Sequence, residues 1–496
     1  METLADVLNV FHIKTSGLSV TISLFLVFLG LLYWYSVYPY SVLSRCGIKH
    51  PKPVPFLGNI FMFRQGFFNP INDLIKTHGR VCGYYLGRRP VVVIADPDML
   101  RQVMVRDFSS FTNRMTLRFA SKPMTDCLLM LRNERWKRVR SILTPSFSAA
   151  KMKEMVPLIN TVTDSLMSNL NVSAESGETF DIHKMASSPK TIWFVRLVAF
   201  PFITAPLARF LPNKRRDQMN HFFINTIQKI IKQREEQPAE ERRRDFLQLM
   251  LDARTSKECV SLEHFDSAAH AADQETQPSA SGEQDDRLPP PQEPSSRRPP
   301  KKMITEDEIV GQAFVFLLAG YETSSNTLAF TCYLLAINPE CQRKVQREVD
   351  EFFARHESPD YTNVQELKYL DMVISETLRL YPPGFRFARD IDQDCVLNGQ
   401  FLPKGATLEI PAGFLHYDPE HWTEPQSFIP ERFTPEAKAS RHPFVYLPFG
   451  AGPRNCVGMR LAQLEIKMAL VRLFHRFSVV ACSETKVDET PEFLLS

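Results

Sequence analysis

The sequence predicts a mainly α-helical fold with a small β region, set behind an apolar N-terminal helix, and three observations lead to it. Thr305-Glu-Asp-Glu308 is a capping box, and the apolar sequence after it runs to about Asn338, so one long buried helix starts there. Met459 onward reads Met-Arg-Leu-Ala-Gln-Leu-Glu-Ile-Lys-Met-Ala-Leu, a run of helix formers. Strand signal gathers near the N-terminus. There Val81 to Leu86 and Val91 to Ala95 flank Gly87-Arg-Arg-Pro90 as a hairpin, and Asp96-Pro97 then caps a helix.

At 496 residues and 44% hydrophobic content the chain can bury a large core. A formal net charge of +3, with no basic run interleaved with aromatics, sets nucleic acid aside as a partner. Nine cysteines, at 46, 82, 127, 259, 332, 341, 395, 456 and 482, form no Cys-x-x-Cys pair. Their scatter points to the reducing cytosol and away from a disulfide framework or zinc site.

From Gly17 to Tyr40 no residue is charged, and Leu18 to Tyr35 is long enough to cross most of a bilayer. The run ends in bulky Tyr and Trp instead of a small-residue cleavage site, so it reads as an uncleaved anchor spanning about residues 18–38 of a segment 1–45. Arg45, Lys49, Lys52 and Arg64 follow the span, whereas Lys14 is balanced by Glu2 and Asp6 before it, which puts residues 46–496 on the cytosolic side. Three prolines in His50-Pro-Lys-Pro-Val-Pro-Phe-Leu-Gly-Asn59 forbid helix and suggest a stiff spacer between membrane and globule. Residues 266–302, rich in Pro, Ser, Glu and Gln, are expected to be a disordered surface loop within one globule.

Several polar groups stand inside otherwise helical sequence. Trp136 and Arg140 are four apart in Glu134-Arg-Trp-Lys-Arg-Val-Arg140 and share a helix face; Glu376 and Arg379 are a common i, i+3 pair. Ala319-Gly-Tyr-Glu-Thr-Ser-Ser-Asn326 puts Gly320, Glu322, Thr323 and further hydroxyls in the middle of the long apolar helix. Bonds from those hydroxyls to backbone carbonyls would open a kink there.

Phe449-Gly-Ala-Gly-Pro-Arg-Asn-Cys-Val-Gly-Met-Arg-Leu-Ala462 holds Cys456 where a glycine- and proline-broken turn enters a helix. Amide N–H groups and the positive helix end favour a thiolate there, as an axial iron ligand requires. Gly458 leaves room for backbone to lie close under a flat macrocycle, and Arg454 can reach an acidic group on its edge.

Phe449, Gly452, Arg454, Cys456 and Gly458 fit Phe-x-x-Gly-x-Arg-x-Cys-x-Gly, and the chain resembles the cytochrome P-450 superfamily in them. The resemblance implies the cytochrome P-450 fold as a single haem domain, with haem b (iron protoporphyrin IX) held by Cys456. It implies that Trp136, Arg140 and Arg389 contact haem propionates, and that Glu376, Arg379 and Arg432 form the triad fixing the fold around the haem loop. It places Glu322 and Thr323 on the helix crossing the distal haem face, where the threonine assists proton delivery to dioxygen. It sets Arg135, Lys137 and Arg138 on or near a surface where an acidic redox partner docks.

Further phrases, Phe63-Arg-Gln-Gly-Phe, Gly83-Tyr-Tyr-Leu-Gly-Arg-Arg, Phe111-Thr-Asn-Arg-Met, Glu241-Arg-Arg-Arg-Asp-Phe-Leu-Gln and Tyr369-Leu-Asp-Met-Val-Ile, resemble the thromboxane-A synthases. Those enzymes rearrange a prostaglandin endoperoxide without dioxygen or external electrons. The resemblance therefore implies a monomeric endoplasmic-reticulum isomerase acting on prostaglandin H2 or another lipophilic small molecule. Thr323 departs from it, because those synthases carry an aliphatic residue there, and it keeps open a monooxygenase fed by an NADPH-cytochrome reductase. Residues 182–199 do not resemble the family, and the sequence stops at Ser496 before the usual terminal hairpin. Both departures fit a third reading, an inactive haem-binding splice form.

Overall fold

The computed structural model describes residues 17–64, 66–115, 120–176, 214–238, 240–242, 245–255 and 304–485. The segment 182–199, the loop 266–302 and the C-terminal residues lie outside that range. The principal helices are α1 (Gly17–Val37), α2 (Phe68–His78), α3 (Asn133–Leu143), α4 (Ala149–Ser176), α5 (Lys214–Glu236), α6 (Phe246–Thr255), α7 (Glu306–Ile337), α8 (Pro339–Phe353), α9 (Lys368–Leu380) and α10 (Met459–Arg476). The strands are β1 (Val81–Leu86), β2 (Arg89–Ile94), β3 (Phe387–Asp390), β4 (Cys395–Leu397), β5 (Gln400–Leu402) and β6 (Thr407–Ile410). A mainly helical fold with a small sheet is what the sequence predicts.

The larger sheet has the order β1-β2-β6-β3, with β2 and β6 parallel and the other two pairs antiparallel; β4 and β5 form a separate hairpin. The expected hairpin is present with a tighter turn. Leu86 pairs with Arg89, so Gly87 and Arg88 alone make the turn, and Gly87 takes the φ of +61° that L-residues disfavour. Asp96 caps the next helix by accepting the Met99 N–H at 2.8 Å.

The apolar helix α1 is 21 residues, about 31 Å at 1.5 Å per residue. Its apolar side chains from Leu24 to Tyr35 are largely exposed, and it is the one helix among the described residues long and apolar enough to cross a membrane. The spacer expectation is corrected. Ser36, Tyr40, Leu43 and Ile48 are already buried ahead of the prolines, and the proline run lies along the free edge of β1. Lys49 bridges Cys82, the Gly83 N–H donates to the Lys49 carbonyl at 2.9 Å, and Asn59 exchanges backbone and side-chain bonds with Tyr85. An edge strand offers unpaired amides and carbonyls, and a proline strap covers some of them without itself becoming a strand.

The long helix α7 carries the expected capping box, with the Glu308 N–H donating to Thr305 Oγ1 at 3.2 Å and the Thr305 N–H to Glu308 Oε2 at 3.0 Å. It packs on α9 and α10. Thr323 Oγ1 donates to the Ala319 carbonyl at 2.6 Å and Ser325 Oγ to the Tyr321 carbonyl at 2.7 Å, yet the helix is continuous from Glu306 to Ile337. The ladder survives these bonds because a carbonyl has a second lone pair, which takes the hydroxyl while the ladder bond persists.

Candidate active site

Cys456 stands three residues before the first residue of α10. Its N–H donates to the Phe449 carbonyl at 2.9 Å and the Asn455 N–H to the Gly452 carbonyl at 2.9 Å, which closes the loop on itself. Gly452 is required there: its φ is +68°, and a Cβ would lie 1.9 Å from the Met104 carbonyl oxygen. Gly458 is different. Its φ of −90° is ordinary and a Cβ would meet only Phe147 Cε1, at 3.8 Å, so protein packing does not demand glycine at that position.

The Cys456 sulfur is accessible to solvent, yet its surroundings desolvate it, so it lines a cleft and not the outer surface. The expectation of an intrinsic thiolate is revised. Burial raises the thiol's pKa, and that outweighs the Gly458 N–H and the positive charges of Arg140 and Arg114, which pull it down. A metal ion, which deprotonates a coordinating thiol outright, would supply the difference.

Four guanidiniums gather around that cleft from four distant parts of the chain. Arg140, on the same face of α3 as buried Trp136, donates Nη1 to the Asn455 carbonyl at 3.1 Å and Nη2 to Asn455 Oδ1 at 2.7 Å. Arg454 lies 4.0 Å over the Trp136 ring and donates to the carbonyls of Thr112 (2.9 Å), Leu128 (3.3 Å) and Leu131 (2.9 Å). Arg389, on β3, gives one bond to the Ala388 carbonyl, and Arg114 one to the Arg454 carbonyl at 3.2 Å. The Nε of Arg389 and of Arg114 are buried without a partner, and none of the four guanidiniums makes an ion pair with a carboxylate among the described residues.

Burial depresses all four, and repulsion from the other arginines adds to it in three: Arg140 falls to about 10, Arg389 to about 9 and Arg454 to about 8, while burial alone lowers Arg114. A guanidinium does not give up its proton under ordinary conditions, so the depression measures a shortage of negative charge. An anion carrying two carboxylates and a flat body to lie beside Trp136 fits that deficit, and the thiol of Cys456 adds a soft ligand for iron. The residues present fit haem.

Glu376 and Arg379 are fully buried and doubly bonded, Arg379 Nε to Oε2 at 2.7 Å and Nη2 to Oε1 at 2.8 Å. Arg432 Nε lies 3.3 Å from Glu376 Oε1, and Arg379 also ties the carbonyls of His416, Pro425 and Ser427. The three residues picked out as a triad do meet. His416, which sequence reasoning passed over, extends the triad to the cysteine loop: the Leu447 N–H donates to its Nε2 at 2.8 Å, so Nδ1 carries the proton and donates to the Arg379 carbonyl at 3.2 Å. Burial and the nearby Arg379 charge lower its pKa to about 3.

On α7, every residue from Leu317 to Thr323 is exposed, about two turns in mid-helix, and a Cβ on Gly320 would meet nothing within 4 Å. Glu322 makes no ion pair among the described residues, and the Thr323 hydroxyl is engaged with Ala319. The expected partner-docking face of α3 is altered: Arg135 and Arg138 both turn to buried Glu308, at 2.7 and 2.6 Å, and Lys137 pairs with Glu134.

Arg114 and Glu308 were also missed. Arg114 stands within the Phe111-Thr-Asn-Arg-Met phrase, but no periodicity marks it; Glu308 was visible as a cap residue and not as the partner of α3.

A cysteine loop ringed by arginines on a mainly helical scaffold has the make-up of a haem-thiolate site, and residues 48–191 and 293–496 match the cytochrome P450 family; the chain belongs to that family. Within it the chain is 46% identical to thromboxane-A synthase of Sus scrofa over 519 aligned residues, covering 97% of this chain and 96% of that protein. It is 45% identical to thromboxane-A synthase of Rattus norvegicus over 520 residues, with the same coverage, and 34% identical to cytochrome P450 3A5 of Homo sapiens over 498 residues, covering 93% and 91%.

Proposed function

We propose that this chain is a haem-thiolate isomerase that converts prostaglandin H2 to thromboxane A2, with fragmentation to hydroxy-heptadecatrienoic acid and malondialdehyde. The observation that carries this reading is near-full-length identity of 44–46% with thromboxane-A synthases, against 34–35% with the drug-metabolising relatives. Cys456 is the axial ligand to the iron of haem b. Arg114, Arg140, Arg389 and Arg454 hold the two propionates, and Trp136 helps to fix the edge. Residues 1–45 anchor a monomeric haem domain, residues 46–496, on the cytosolic face of the endoplasmic reticulum.

When bound, the haem supplies an iron that accepts a peroxide oxygen and exchanges single electrons. Isomerisation and fragmentation both redistribute the substrate's own atoms and electrons, so neither dioxygen nor a reductase enters. The chain's part is to hold the thiolate, neutralise the propionates and give a lipophilic substrate the open, apolar turns Leu317 to Thr323 to lie against.

One observation favours the monooxygenase reading, the presence of Thr323 on the exposed turns of α7. Replacing it separates the two. A positioned proton-transfer group is worth about a hundredfold or more, and an isomerase has no dioxygen to protonate. Endoperoxide turnover by Thr323→Val should stay within severalfold of wild type; a hundredfold loss would favour dioxygen chemistry.

A further inference from the structure

The first turn of α7 holds a buried carboxylate that the chemistry above does not use. Glu308 is fully buried; Oε1 accepts from Arg135 Nε at 2.7 Å and Arg138 Nη2 at 2.6 Å, and Oε2 accepts the Thr305 N–H at 3.0 Å. Arg135 continues to Asp126 Oδ1 at 2.8 Å. One turn along, buried Gln312 accepts the Leu128 N–H at 2.7 Å and donates to the Asp126 carbonyl at 2.9 Å. Gly311 between them brings the helix against this segment, since a Cβ there would stand 2.8 Å from the Asp126 carbonyl carbon.

The two things held in this way are the supports of the arginine ring. Arg135 and Arg138 belong to α3, the 11-residue helix that carries Trp136 and Arg140 on its other side. The segment from Asp126 to Leu131 supplies the Leu128 and Leu131 carbonyls that fix Arg454. A rigid short helix moves as a unit, so a shift where Glu308 grips α3 carries Arg140 and Trp136 with it. Groups that hold ligand-binding side chains in place commonly alter affinity as much as some direct contacts do.

We propose that Glu308 is a positioning residue for haem capture, acting through α3 and the 126–131 segment on Arg140, Trp136 and Arg454. The proposal rests on the haem reading. Its effect differs from simple stabilisation of the fold: it predicts loss of haem out of proportion to loss of stability.

The test uses the full-length protein in detergent, as wild type, Glu308→Gln, Arg138→Met and Val349→Ala. Val349 is fully buried in a core cluster separate from that of Trp136, so its truncation destabilises without touching the ring. The readouts are the rate of haem transfer to apomyoglobin and the fraction of reduced, carbon-monoxide-bound protein absorbing at the thiolate position, each at a fixed interval below the variant's own unfolding midpoint. Glu308→Gln should lose haem about tenfold faster than Val349→Ala. Arg138→Met, which leaves Arg135 paired, should lie between them and serves if Glu308→Gln does not fold. Haem loss from both variants no faster than from Val349→Ala would overturn the proposal. Wild-type protein without a thiolate band would instead overturn the haem reading, and this proposal with it.

Discussion

Cys456 is set apart from the other cysteines by its neighbours and not by its acidity. Burial raises its pKa, as it does that of Cys82, Cys127 and Cys332, but Cys456 stands just before a long helix and faces both Arg140 and Arg114, whereas Cys127 feels Arg114 alone. Cys456→Ala should therefore abolish the thiolate carbon-monoxide band and all turnover, while exposed Cys482→Ala leaves both unchanged; difference spectra of the two variants check this. His416 gives a second test, of pH dependence. Its folded pKa of about 3 lies below the unfolded value near 6.5, so between those values the unfolded chain binds more protons and stability falls as pH falls. The advantage of wild type over His416→Asn in chemical denaturation should shrink below pH 6.5 by about 1.4 kcal/mol per pH unit. The cysteine loop was legible because its information is local, five positions within ten residues. The arginine ring was less so: Arg140, Arg389 and Arg454 came through motifs, but Arg114 joins them only by a fold that brings together residues hundreds apart in sequence.

Among the elements, the loop that carries Cys456 is shaped by close approach to the backbone at Met104. Gly452→Ala combines a positive φ with a contact no Cβ can make, and the loop would have to move as a whole. The variant should express with little or no haem and unfold at a lower temperature, measured by haem absorbance and calorimetry. The capped helix α7, the hairpin and α10 were all readable, because caps and turn residues act on their immediate neighbours. The proline strap was misread as a spacer. Proline fixes φ and forbids helix, but whether an extended segment hangs free or lies on a sheet edge depends on a strand that the sequence does not place beside it. The hydroxyl-rich turns of α7 were readable as well, and the helix runs through them without a break.

At the scale of the whole molecule, the anchor, the β1 edge and the haem site form a connected series. Arg88 in the β1–β2 turn lies 3.6 Å over the Tyr35 ring at the end of α1, and Tyr40 and Tyr85 interlock just beyond it, with the Tyr85 hydroxyl donating to the Tyr40 carbonyl at 2.9 Å. The apolar helix α1 thus runs directly into the globule, with no free segment between Tyr35 and the β1 edge. Within the globule, Arg135 and Arg138 of α3 pair with buried Glu308, while Lys137 pairs with Glu134 at the surface. The most direct measurement is product formation from prostaglandin H2 by the purified full-length protein, anaerobically and without NADPH or reductase. The account predicts thromboxane together with hydroxy-heptadecatrienoic acid and malondialdehyde under those conditions; a strict requirement for NADPH and dioxygen, with no product in their absence, would contradict it.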